Sequence, residues 1–181
     1  TGDFNILITG GSQGARIFSS VVPEAAGKVP KEIRPRLNIT HQCPAADVDA
    51  VIEKYRKAGI RAEVKPFIHN MAEKLGACQL FIGRSGATTV AEIAVVGRPA
   101  IFVPLLHADR QQFLNAEVLT QREGAWIIPQ ELFTPEALAT QIDTFARHPA
   151  LLASAAASAR ACGQPEAVKS LAGLVEKLAA V

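Results

Sequence analysis

Asn5-Ile6-Leu7-Ile8-Thr9-Gly10-Gly11-Ser12-Gln13-Gly14-Ala15 runs from a short apolar stretch, through a glycine-rich turn, to the start of a helical pattern at Arg16. Glycines at such a turn let the backbone approach a ligand closely, and a helix start offers free N–H groups and the positive end of a dipole. Ser12 adds a hydroxyl donor, so the segment reads as a phosphate cradle; the plainer alternative is a tight turn that needs glycine for positive φ. The rest of the chain repeats the same beat. Strand-like runs at 5–9, 37–42, 62–66, 79–82, 100–103 and 125–128 alternate with helix-like stretches at 16–27, 46–58, 71–75, 89–96 and 110–121. This alternation predicts an α/β fold: a mostly parallel six-stranded sheet with helices on both faces. The runs are continuously apolar, as strands covered on both sides should be.

Beyond Pro129 the pattern is only helical, at 135–147, 150–161 and 165–180. Thr134-Pro135-Glu136 sets an N-cap before a proline at the first helical position, and His148-Pro149 reads as a helix break. At 181 residues, with 49% hydrophobic and 20% charged residues, the chain suits one globular domain over 1–181 rather than a disordered segment. Basic and acidic residues number 19 and 17, a balance that argues against a nucleic-acid protein held by a basic stripe. No apolar run approaches a membrane span, and no signal peptide is visible. Cys43, Cys78 and Cys162 are odd in number and widely spaced, which suggests neither a zinc site nor a disulfide framework and fits a reducing cytosol. The chain begins at Thr1 and its only methionine is Met71, so it is expected to be processed or a piece of something longer.

In an open α/β sheet, ligands bind at the carboxyl ends of the strands. Three phosphate-binding families compete for the first loop there. A P-loop requires a lysine that is absent. A dinucleotide site wants an acid at the end of strand two, where His41-Gln42-Cys43 stands instead. Thr9-Gly10-x-x-x-Gly14 resembles the opening of a short-chain dehydrogenase, but the needed Tyr-x-x-x-Lys is missing: the only tyrosine is Tyr55, with Gly59 four residues on.

The second loop is Arg84-Ser85-Gly86-Ala87-Thr88-Thr89-Val90-Ala91-Glu92. Thr89-x-x-Glu92 reads equally as a capping box in the first turn of a helix or as a carboxylate placed to accept hydrogen bonds from vicinal ribose hydroxyls. A third loop, His107-Ala108-Asp109-Arg110-Gln111-Gln112, is crowded with groups that both donate and accept, which suits sugar hydroxyls. Its alternative is a solvated helix start capped by Asp109. A lone His-x-Asp is a weak metal signal, and no metal site is expected. Ile68, in Pro66-Phe67-Ile68, is either core or pocket lining.

Four of these segments, 8–16, 66–68, 84–92 and 107–112, together resemble in order the carboxy-terminal half of the MurG family of bacterial N-acetylglucosaminyltransferases. The resemblance implies a GT-B glycosyltransferase, built from two Rossmann-like domains around a cleft, of which this chain is the donor-binding half. It implies transfer of N-acetylglucosamine from UDP-N-acetylglucosamine to the 4-hydroxyl of the muramyl sugar of lipid I, with inversion, giving lipid II and UDP for peptidoglycan synthesis. Carried over, Gly11, Ser12, Gln13 and Gly14 contact the donor, foremost through Ser12. Ile68 lies along the uracil. Ala87, Thr88, Thr89 and Val90, with Ala91, supply backbone contacts to phosphate and uracil, Glu92 holds the ribose hydroxyls, and Gln111 and Gln112 address the donor sugar.

No cofactor is implied. The catalytic base, the lipid I acceptor site and the membrane-facing patch belong by resemblance to an amino-terminal domain outside this chain, placing the whole enzyme peripherally at the cytoplasmic side of the bacterial inner membrane. The present stretch is then expected to be soluble, inactive alone and a weak donor binder. Its last helix, 165–181, would normally pack toward that other domain and here exposes Leu171, Leu174 and Leu178. Another GT-B transferase acting on a lipid acceptor with a UDP-sugar, such as a diacylglycerol glycosyltransferase, and a non-catalytic nucleotide-binding module are the competing readings.

Overall fold

The computed structural model describes residues 2–11, 14–105 and 110–179. Six strands, β1 (Phe4–Thr9), β2 (Leu37–Gln42), β3 (Arg61–Lys65), β4 (Leu80–Gly83), β5 (Ala100–Phe102) and β6 (Ala125–Ile127), form one sheet in the order β3-β2-β1-β4-β5-β6. All five pairings are parallel. The strand order reverses between β1 and β4, which is where open α/β sheets leave a crevice at the carboxyl ends.

Side chains alternate across the sheet with period two, and that alternation divides the core. Ile6, Ile8, Leu80, Ile82 and Ile101 point to one face. There they pack on α1 (Arg16–Lys28), α2 (Val48–Ala58) and α6 (Pro135–Arg147) through Phe18, Val22, Tyr55, Leu138 and Ile142. Leu7, Phe81 and Phe102 point to the other face. Their partners are Leu75 of α3 (Met71–Ala77), Ile93 of α4 (Ala87–Val96), Leu119 of α5 (Gln111–Thr120) and Ala159 of α7 (Pro149–Ala161). Each large apolar side chain so buried contributes roughly 1.5–3 kcal/mol.

The helix ends follow local chemistry. The Thr134 hydroxyl accepts from Ala137 N at 3.2 Å and starts α6, with Pro135 at its first position. Pro149 ends one helix and opens the next, since His148 is at once the C-cap of α6 and the N-cap of α7. One expectation is corrected. Thr89 does not cap α4: the helix begins at Ala87 behind Gly86, whose extended backbone serves as N-cap without a side-chain bond. Glu92 is the sixth helical residue, in the second turn rather than the first, so the capping box does not form.

The last helix, α8 (Ala167–Ala179), buries none of its residues. Leu171, Leu174, Val175 and Leu178 recur at the spacing of one helical face, and Leu171 and Leu178 are 63% and 70% exposed. No helix among the described residues is long and apolar enough to cross a membrane.

Candidate functional site

Where β1 and β4 end side by side, Thr9 opposite Gly83, the chain leaves the sheet twice toward a helix start. After β1, the glycine turn is fixed by close contacts. A Cβ on Gly10 would fall 2.1 Å from the Ala15 nitrogen, and one on Gly14 would fall 2.9 Å from Pro44 at a φ of +70°, so neither position accepts a side chain. Gly14 N–H closes the turn onto Gly11 O at 3.0 Å. Helix α1 then begins behind Ala15 with no side-chain cap, as α4 does behind Gly86. Two helix N-termini with uncapped first-turn amides therefore flank one sheet edge, a preorganised setting for an anion.

Beside this edge lies a cavity of about 200 Å³, walled by the glycine turn, the end of β2, the segment from Phe67 into α3, and one side of α4. Of the residues singled out in the sequence, it brings together Gly11, Ile68, Thr89 and Glu92. Ile68 is both buried core and cavity wall, so its two readings hold together. The structure adds Thr9, Gln42 and the half-exposed ring of Phe67, none of which the sequence reading named as a site residue. The available signal was a polar residue ending a buried strand at the ligand-bearing edge. An apolar hollow of about 510 Å³ between α3 and α4 shares Glu92, Met71 and Leu75 with this cavity.

The other sequence candidates lie elsewhere. The side chains of Ala87, Val90 and Ala91 line a groove on another flank of α4, facing Val118 and Cys162, and Ala91 also borders the hollow beside Glu92. Thr88 is exposed on α4. Ser12 and Gln13 lie outside the described residues, as do His107 and Asp109. Gln111 and Gln112 open α5. The Gln112 side-chain oxygen accepts from Leu105 N at 3.0 Å and so steadies the chain leaving β5.

Buried polar groups brace this edge. Ser85, fully buried, donates its hydroxyl to Gln112 O at 2.7 Å, while Asn115 Nδ2 donates to Ser85 O at 3.1 Å. Arg84 donates to Val103 O at 2.8 Å and Gln130 Oε1 at 2.6 Å, and its guanidinium sits 5.5 Å above the Phe18 ring. Burial holds the Arg84 pKa below its usual value.

Below the glycine turn, His41 Nδ1 and the Tyr55 hydroxyl share a hydrogen bond of 2.8 Å, and His41 Nε2 has no partner among the described residues. Burial pushes the His41 pKa down to about 4, which leaves the ring neutral at pH 7. It also pushes the Cys78 thiol up to about 11, so that thiol is no nucleophile. Among the described residues no three His, Cys, Asp or Glu side chains gather as metal ligands do.

Residues 5–172 match the family model of the glycosyltransferase family 28 C-terminal domain. The chain belongs to that family. This family 28 domain is 46% identical over 175 residues to the UDP-N-acetylglucosamine–N-acetylmuramyl-(pentapeptide) pyrophosphoryl-undecaprenol N-acetylglucosamine transferase of Rhodospirillum centenum, covering 96% of this chain and 46% of that protein. It is 46% identical over 176 residues to the enzyme of the same name from Erythrobacter litoralis, covering 97% of this chain and 44% of that protein. Among solved structures it superimposes on Acinetobacter baumannii MurG with a TM-score of 0.88 at 36% identity, covering 97% of this chain and 52% of that one. The family 28 domain thus spans about half the length of the relatives it matches.

Proposed function

We propose that this family 28 domain is the donor-binding half of an inverting N-acetylglucosaminyltransferase that takes UDP-N-acetylglucosamine as donor and the muramyl-pentapeptide pyrophosphoryl-undecaprenol lipid as acceptor. The observation that carries the reading is the cavity joining Gly11, Ile68, Thr89 and Glu92 at the sheet edge where two uncapped helix starts emerge. Its parts suit the parts of a uridine diphosphate. The apolar wall at Ile68 takes the face of the base. The Glu92 carboxylate accepts from the two ribose hydroxyls. The glycine turn with Ser12 and Gln13 on one side, and the backbone at the start of α4 from Ala87 to Ala91 on the other, take the diphosphate and the edge of the base. Gln111 and Gln112, at the start of α5, address the sugar.

In the reaction so assigned, the 4-hydroxyl of the muramyl sugar attacks the anomeric carbon of the donor. The bond from that carbon to the β-phosphate oxygen breaks, and its electron pair leaves with UDP. Charge grows on the phosphate as the bond lengthens. Helix N-termini aimed at it stabilise that charge without having to reorganise. The hydroxyl proton goes to a general base, which we place in the half of the protein outside this chain, with the acceptor site and the membrane-facing surface. The exposed apolar stripe of α8 is then a surface toward that half.

Calorimetric titration with UDP-N-acetylglucosamine, UDP-glucose and NADH tests the reading. Binding of UDP-N-acetylglucosamine in preference to the other two supports it. Equal binding of both UDP-sugars points to a different sugar nucleotide, and binding of NADH alone contradicts the donor assignment.

A further inference from the structure

We propose that Gln42 is a positioning residue that locks the diphosphate loop and the base loop of the donor site in register, so that the two ends of one nucleotide are bound together. The proposal rests on the donor-site reading above.

Gln42 ends β2 and is only 3% exposed. A carboxamide so deeply buried must find partners for both of its N–H bonds. Those partners come from two different loops. Nε2 donates to Gly11 O of the glycine turn at 3.0 Å and to Pro66 O, two residues before Ile68, at 3.4 Å. The strand behind it is firmly held: Gln42 pairs with Lys65 in the parallel register of β2 and β3, and Cys43 N donates to Lys65 O at 3.1 Å. Gln42 also lines the cavity itself, beside Gly11 and Ile68. One amide group on a rigid strand thus spans the loop assigned to phosphate and the loop assigned to base.

Two consequences follow from the chemistry. A carbonyl oxygen turned toward a diphosphate repels it. Gly11 O is instead occupied by two donors, Gln42 Nε2 and Gly14 N. The fixed spacing of the two loops also means that a ligand filling both pays the ordering cost of neither, which is the advantage of a preorganised site. Gln42 therefore acts on the coupling between subsites more than on either alone.

The test measures dissociation constants of UDP, uridine and pyrophosphate by NMR titration of this chain, of Gln42→Met and of Gln42→Asn. Methionine keeps the length and removes the donors; asparagine keeps the amide but is one methylene too short to span both carbonyls. Loss of the two hydrogen bonds should weaken UDP about tenfold, while uridine and pyrophosphate each weaken by no more than about twofold. A loss for UDP no greater than the product of the two separate losses overturns the coupling role, as does unchanged UDP affinity. If Gln42→Met does not fold, Gln42→Asn is held to the same comparison. Failure of the unsubstituted chain to bind UDP at all overturns the donor-site reading and this proposal with it, whereas UDP binding with proportionate losses overturns this proposal alone.

Discussion

The Ser85 hydroxyl donates to the backbone carbonyl of Gln112 at 2.7 Å, joining the loop after β4 to the first turn of α5. Asn115 Nδ2 returns a bond to Ser85 O from the next turn of the same helix. The helix that carries Gln111 and Gln112 is therefore latched to the loop that starts α4. Replacing Ser85 by alanine removes the bond from its buried hydroxyl to Gln112 O and should cost about 0.5–1.5 kcal/mol of stability, read by denaturant unfolding. Because the latch aims α5, Ser85→Ala should also narrow the affinity difference between UDP-N-acetylglucosamine and UDP, with UDP itself little changed. An unaltered ratio would mean that α5 does not reach the sugar.

Acid should expose the buried His41. Its folded pKa of about 4 lies below the ordinary 6.5, so the unfolded chain takes the proton first as pH falls. The contribution is absent above pH 6.5, grows as a destabilisation between 6.5 and 4, and levels off below 4. Its full size is about 3 kcal/mol at roughly 1.4 kcal/mol per pH unit. His41→Asn should lower stability at neutral pH, because Tyr55 loses its partner, yet flatten the fall in melting temperature between pH 6.5 and 4. A variant as steep as the parent would assign the acid sensitivity to other groups.

Helix α8 should be dispensable for the stability of the chain. It buries no residue, so deleting residues 168–181 is expected to shift the melting temperature by less than about 2 °C. Leu152→Ala in α7 serves as the contrast. That side chain is buried against the core, and its removal should cost about 2–5 kcal/mol. A large loss on deleting α8 would mean that its apolar face packs on this domain in solution.

Much of this architecture is legible in the sequence because the central strands β1, β4 and β5, buried on both faces, carry nearly unbroken apolar runs. Strand boundaries at 37–42 and the helix at 135–147 agree with the structure residue for residue. In the helix, a threonine cap and a proline coincide. Legibility fails where a local pattern has two physical meanings. Thr89-x-x-Glu92 has the spacing of a capping box, but Gly86 starts the helix and leaves Glu92 facing the cavity. It fails again where partners are far apart in sequence. Gln42 reaches carbonyls 31 and 24 residues away, and no periodicity announces that. The glycine turn and Ile68 are separated by most of two βα units, yet the order β3-β2-β1-β4 folds both onto one cavity.

In the proposed site, Glu92 holds the ribose of a uridine nucleotide in the cavity at the ends of β1 and β2. The most direct measurement is the calorimetric affinity of this chain for UDP, beside Glu92→Ala and Glu92→Gln. Glu92 is exposed on α4, so neither substitution should disturb folding, which circular dichroism checks. Losing hydrogen bonds to a charged acceptor should weaken UDP by about ten- to a hundredfold in Glu92→Ala, with a partial loss in Glu92→Gln. UDP binding that is equally tight in the parent and both variants would rule out the ribose role of Glu92.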